Sequence, residues 1–129
     1  MTPVKIISFG YLHGDAPEAH ITIDLRQHFR DPHVSPELRN MTAHDGEVWA
    51  AVLATPGIEQ LLTATAAAVR AFLNGPSAGP VRVAVGCAGG RHRAAVFATA
   101  LSRRLGHVPL HHRDLDKPVV DRDAAGRPA

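Results

Sequence analysis

At 129 residues the chain has the length of one ordinary domain. Its composition, 45% apolar and 20% charged, supports a buried core and excludes a disordered chain. A net charge of +2 is too small to mark a nucleic-acid binder by itself, and a single cysteine excludes an internal disulfide. Nine histidines make the charge sensitive to mild acid. The first residues lack the form of a signal peptide, and no apolar run approaches the roughly 20 residues of a membrane helix. These features lead us to expect a soluble, cytoplasmic protein without membrane contact.

Taken in order, Val4-Lys5-Ile6-Ile7-Ser8 reads as a first strand, ending where Gly10 permits a turn. Ile21-Thr22-Ile23 reads as a second strand and leads into Asp24-Leu25-Arg26. From Gln27 to Asp45 the pattern is irregular, with turn signals at Asp31-Pro32-His33 and Ser35-Pro36. So long a loop is either functional or a plain surface excursion. Asp45 is placed to cap a short helix with Val48, Trp49, Val52 and Leu53 on one face. Thr55-Pro56 then reads as the start of a longer helix, with Thr55 as its cap. Its apolar stripe is Ile58, Leu61, Leu62, Val69, Phe72 and Leu73, and Asn74-Gly75-Pro76 ends it. Val81 to Val85 is a β-branched strand, Gly86 to Arg93 a glycine-rich loop, and the alanine-rich run to Leu105 a helix ended by Gly106. Val108 to His112 reads as a last strand, whose Pro109 favours the sheet edge. The expected fold is α/β: one domain over 1–118, with a mostly parallel or mixed central sheet flanked by helices, and a loose tail over 119–129.

Each strand is followed at once by residues capable of chemistry. Ser8, Gly10 and Tyr11 follow the first, Asp24 and Arg26 the second, Cys87 to Arg93 the third, and His112, Arg113 and Asp114 the fourth. In open α/β sheets ligands bind beyond the carboxyl ends of the strands, so parallel strands would gather these groups in one pocket. The third cluster, Cys87-Ala88-Gly89-Gly90-Arg91-His92-Arg93, turns from a strand into a helix start. Free backbone N–H groups and the positive end of a helix dipole make such a turn a phosphate cradle. Glycines admit the ligand to the backbone, and Arg91 and Arg93 add charge-assisted bonds. The plain alternative is a tight turn with solvated arginines. Asp24 and Arg26 suit a sugar hydroxyl or amine and a phosphate, or else form an ordinary surface ion pair. His111 to Asp114 gives too few convergent ligands for a metal, and a phosphate- or RNA-facing edge is the alternative. His33 is the one further histidine singled out.

Cys87 and Arg93 also have the Cys-x5-Arg spacing of cysteine-dependent phosphatases, in which a thiolate attacks phosphorus. Gly86 stands where those enzymes usually carry histidine, and Ala94 where they carry a hydroxyl. Phosphatase chemistry is therefore the alternative to non-catalytic binding.

Six short motifs together resemble the C-terminal domain family of the RNase adapter protein RapZ. They are Ile7-Ser8-Phe9-Gly10-Tyr11 with Gly14, Asp24-Leu25-Arg26, Asp31-Pro32-His33, Pro36-Glu37-Leu38-Arg39 with Thr42 and Asp45, Gly86 to Arg93, and His112-Arg113-Asp114. The resemblance runs from about Lys5 to Lys117. It implies a stand-alone domain that binds a phosphorylated aminosugar, glucosamine-6-phosphate, and small RNA, and that contacts an endoribonuclease. Full-length relatives carry an N-terminal nucleotide-binding domain with a Walker-type loop. This chain shows no such segment, so no ATP or GTP hydrolysis is implied. The family loop usually reads Gly-Cys-Thr-Gly-Gly-Gln-His-Arg-Ser; Ala88, Arg91 and Ala94 depart from it here. The expected partners are thus a phosphorylated small molecule, small RNA, an endoribonuclease and further copies of the chain, with no cofactor and no metal.

Overall fold

A computed structural model of the chain describes residues 3–29, 41–77 and 79–120. His33, the other motif residues between 30 and 40, and most of the expected tail lie outside the described residues. The elements are β1 (Val4–Gly10), a short 3-10 turn (Tyr11–His13), β2 (Ile21–Asp24), α1 (Gly46–Leu53), α2 (Ile58–Leu73), β3 (Val81–Cys87), α3 (Arg93–Arg104) and β4 (Leu110–His112). The four strands form one sheet in the order β2-β3-β1-β4. Every pairing is parallel. The fold is thus the expected α/β sheet, with the strand polarity now defined.

Strand alternation sorts the side chains between two faces. Val4 and Ile6 of β1 and Val81, Val83, Val85 and Cys87 of β3 point to one face. There they meet Ile58, Leu62, Ala66 and Val69 of α2 and Ala94, Phe97, Ala98 and Leu101 of α3. A second cluster joins Val48 and Val52 of α1 to Ala95 and Val96 of α3 and to Leu115. Helix α3 is therefore buried on two sides, which its small residues permit. The other face of the sheet carries Lys5, Ile7 and Phe9 of β1, Arg82, Ala84 and Gly86 of β3, and Thr22 and Asp24 of β2. Phe9 and Ala84 are fully buried there although none of the described α-helices covers them. The connection from β1 to β2 has to pass β3, and residues 11–20 do so across this face. At its far end the segment is fastened to β3, because His20 N–H bonds to the Arg82 carbonyl and Arg82 N–H to His20 Nδ1.

Several boundaries differ from expectation. Gly86 and Cys87 belong to β3 rather than to the loop, since Phe9 and Gly10 of β1 continue the ladder beside them. Strand β4 starts at Leu110 and lies at the sheet edge, where Pro109 contributes only its carbonyl, to Ile6 N–H. Helix α2 is capped by Gly57 at φ 90°, not by Thr55. The Thr55 hydroxyl instead donates back to the Ala51 carbonyl, so it closes α1. Asp45 does sit at the cap of α1, but its carboxylate accepts from Thr42 N–H rather than from the helix. The α2 stripe stops at Val69: Phe72 and Leu73 are 49% and 40% exposed because the helix outruns the sheet.

Candidate functional site

Parallel pairing carries the four strand-end clusters to one edge. Register places Gly10 beside Cys87 and Asp24 beside Gly86, while Ser8 lies beside both Val85 and His112. Gly86 allows this closeness, since a Cβ there would stand 2.6 Å from the Tyr11 ring and overlap Phe9. Backbone meets backbone between Gly10 and the loop: a Cβ on Gly90 would lie 2.8 Å from Gly10 N and 3.1 Å from Asp114 Cβ. Gly90 also has φ +77°, which side-chain-bearing residues rarely adopt. These contacts, with the bond from Leu12 N–H to the Ala88 carbonyl (3.0 Å), seat the 3-10 turn on the glycine-rich loop.

The loop then enters α3. His92 is the cap residue and gives no side-chain cap bond. Among the described residues no acceptor meets the N–H groups of Arg93 and Ala94. The side chains of the loop reach outward and hold neighbouring segments by their carbonyls. Arg91 Nη1 donates to Lys117 O at 2.7 Å. His92 Nε2 lies 2.5 Å from Met41 O. Arg93 Nη1 donates to Leu25 O at 2.8 Å. Cys87 is 2% exposed, faces the helix side, and its Sγ accepts Gly90 N–H at 3.2 Å. The loop thus runs as bare backbone into α3, with Arg91 and Arg93 acting as struts around it.

On the β2 side lies a charged group open to solvent. Arg26 forks onto Asp24 through Nε and Nη2 and stacks over the Tyr11 ring at 3.5 Å. The Arg26 guanidinium holds the Asp24 carboxyl below its ordinary range, and Arg93 adds to this. Partial burial and then Asp24 push the Tyr11 phenol upward. The pair is thus an ion pair as the plain alternative supposed, but it stands at the mouth of the loop.

On the β4 side the residues are spent on the protein. Asp114 is fully buried; its Oδ2 accepts Gly10 N–H at 2.8 Å and Arg113 Nε at 3.0 Å, and its Oδ1 faces Lys117 Nζ at 2.6 Å. Burial pushes the Asp114 carboxyl up, but the bonds from Arg113, Gly10 and Lys117 outweigh it and hold it at about 2. Arg113 also donates to the Asp15, Gly10 and Gly14 carbonyls, tying down the segment after β1. Ser8 is fully buried, and its Oγ lies 2.6 Å from His112 Nδ1, with Thr99 Oγ1 at 3.4 Å from the other ring nitrogen. Burial, and then the neighbouring His44 and His111, hold the His112 imidazole below its usual range.

Two residues escaped the sequence-based reading. Lys117 pairs with Asp114 through a turn, and only the i,i+3 spacing could have signalled it. His13 has a buried Nε2 with no partner among the described residues, and nothing in its sequence context marks it. No three His, Cys, Asp or Glu side chains converge among the described residues as a metal ion would require. No single described helix is long and apolar enough to cross a membrane.

The chain is similar to known proteins over most of its length. A nucleotide-binding protein of Rubrobacter xylanophilus is 37% identical over 125 residues, which cover 88% of this chain and 40% of that protein. One from Acidothermus cellulolyticus is 34% identical over 121 residues (92% and 39%). One from Thermobifida fusca is 34% identical over 120 residues (88% and 40%). The chain spans about two fifths of the length of these relatives. The RapZ C-terminal domain matches residues 2–116, nearly everything from before β1 to the Asp114 turn, and the chain therefore belongs to the RapZ C-terminal domain family.

Proposed function

We propose that this domain is a non-catalytic receptor for a phosphorylated small molecule, bound at the carboxyl edge of the sheet. One observation carries the proposal: the start of α3, whose Arg93 and Ala94 N–H groups meet no acceptor among the described residues, opens at the meeting point of the four described strand ends. A helix start of this kind attracts an anion through its N–H groups and its dipole. The Cys87 to His92 backbone holds the phosphate together with the remaining N–H groups of Arg93, whose Nη1 stays on the Leu25 carbonyl and so aims the guanidinium, and Arg26 adds charge from the rim. Asp24 accepts a hydroxyl or ammonium group of the same ligand, which suits a sugar phosphate such as glucosamine-6-phosphate. The relatives are called nucleotide-binding proteins, and a nucleotide presents the same phosphate to such a cradle. His112, Arg113 and Asp114 support the site from behind. Cys87 serves as a wall, because its sulfur turns into the core and takes a hydrogen bond from Gly90.

Titration calorimetry with glucosamine-6-phosphate and with inorganic phosphate tests this. Arg93→Ala should weaken binding by about 10- to 100-fold, the loss of one charged hydrogen-bonding group. Arg103→Ala, at the far end of α3 beside Trp49, should change it less than about twofold. Absence of heat with both ligands at millimolar concentration refutes the proposal. The small-RNA and endoribonuclease contacts suggested by the family are proposed for the same edge. They require RNA binding that falls steeply with salt.

A further inference from the structure

His112 ends the short edge strand β4 and is the register partner of Ser8 on β1. Its Nδ1 lies 2.6 Å from Ser8 Oγ, and its Nε2 lies 3.4 Å from Thr99 Oγ1 of α3. The two hydroxyls fix which ring nitrogen carries the hydrogen. Thr99 already donates its own hydrogen to the Ala95 carbonyl at 2.7 Å, so toward His112 it can only accept. Nε2 is therefore the N–H, and Nδ1 is bare and accepts the Ser8 hydroxyl. In this form the neutral ring joins three elements, β4, β1 and α3.

A further proton undoes the arrangement. It can enter only at Nδ1, where it meets the Ser8 hydroxyl hydrogen. Ser8 is fully buried, and its Oγ has no other hydrogen-bond partner among the described residues. Its hydrogen would be left unmatched, and a buried unmatched donor is costly. The titratable groups acting on the ring are His44 from the turn before α1, His111 on its own strand and Asp116 beyond it. The two histidines oppose the added charge and Asp116 favours it.

The consequence falls on a thin part of the sheet. Strand β4 has three residues and one neighbour, β1. Arg113 N–H bonds to the Ser8 carbonyl at 2.9 Å, and Asp114, two residues past His112, holds Gly10 N–H. Gly10 is in turn the seat of the loop that enters α3. We propose that His112 is an acid-released latch: neutral, it fastens β4 to β1 and α3; protonated, it frees β4 and weakens anion binding at the start of α3. The second half rests on the receptor function proposed above. The added charge also attracts an anion, but Thr99 stands six residues past Arg93, about 9 Å along α3, and Asp116 offsets it. Loss of the seat therefore outweighs that attraction.

Amide hydrogen exchange of the full chain, corrected for intrinsic rates, tests the latch between about pH 7.5 and pH 5. Protection of Arg113 and Gly10 N–H should fall about tenfold or more. That of Leu25 N–H, bonded to the Gly86 carbonyl on the β2 side, should change less than about threefold. His112→Asn keeps an acceptor for Ser8 and cannot titrate, so its amides should hold their protection. Ser8→Ala removes the hydroxyl that protonation strands, so its His112 should bind a proton at least about threefold more tightly. Sulfate keeps its charge over this range and probes the site by calorimetry. Relative to His112→Asn, wild type should lose about fivefold or more of its sulfate affinity in acid. Unchanged protection in wild type, an equal loss at Leu25 or in His112→Asn, or a Ser8→Ala imidazole that titrates no higher overturns the latch. Amides that respond while sulfate binds equally at both pH values overturn the gating and leave the receptor standing. Sulfate bound at neither pH refutes the receptor, and the gating with it.

Discussion

Asp114 is a fully buried carboxylate, and its removal tests how the strand ends are held together. The carboxyl falls from 3.8 to about 2 in the fold, which corresponds to about 2 kcal/mol of stabilisation of the charged form. The folded value lies below the unfolded one. The contribution is therefore complete above about pH 4 and is lost as pH falls from there toward 2. Asp114→Asn removes the charge and leaves Arg113 and Lys117 facing a neutral amide. Arg113 keeps its three carbonyl partners and Lys117 is half in solvent, so the cost at pH 7 should be about 2–4 kcal/mol, not the full penalty of a broken buried pair. The assay is urea unfolding of both proteins between pH 7 and 2, comparing midpoints at constant slope. The gap between them should narrow by about 2 kcal/mol between pH 4 and pH 2. A gap that stays constant across that range would refute the reasoning, because the Asp114 charge would then contribute nothing specific to the fold.

Two further outcomes follow from the same edge. Gly90→Ala meets both a positive φ and the backbone of Gly10, and should cost about 2–4 kcal/mol, whereas Gly89→Ala has open space and should cost under about 1 kcal/mol. Urea midpoints of the two variants check this, and equal losses would contradict the contact between Gly10 and Gly90. His112 should titrate below 6.5 by imidazole chemical shift, because burial and the nearby His44 and His111 disfavour its charge. Its folded value lies below the unfolded one, so the fold should lose stability as pH drops below 6.5 and through that folded value. An imidazole that titrates above 6.5 would show that its ring does not lie buried beside Ser8 and Thr99.

Element type was legible in this sequence where local chemistry and burial agree. The β-branched run at Val81 to Val85 and the alanine-rich run after Arg93 became β3 and α3 because each buries its apolar side chains fully. The apolar stripe of α2 was legible as far as Val69 and misleading beyond it. Periodicity reports which face is apolar, not where the partner surface ends, and Phe72 extends past the sheet. Caps were the least legible feature. Thr55 and Asp45 both carry side chains that satisfy helix starts, yet each bonds backward to an earlier residue. A short polar side chain has several backbone partners within reach, and the chain path after Thr55 chose Gly57 for its left-handed conformation.

The motifs of the candidate site were likewise visible one by one, because glycines, arginines and histidines at strand ends are local chemistry. Their roles were not. Arg91, Arg93, Arg113 and Asp114 have the residue types of a phosphate site, and in the fold they brace carbonyls and amides of distant segments. A guanidinium donates equally well to phosphate or to a carbonyl, so only the position of its neighbours decides between them. The sequence by itself determined that strands and helices alternate, that a glycine-rich loop opens a helix, and that charged groups follow each strand. Only the tertiary structure decided that every described strand runs the same way, which brings those groups to one edge and gathers the described α-helices on one sheet face. Strand direction is set by which edge each crossover returns to, a long-range choice between pairings that are locally alike.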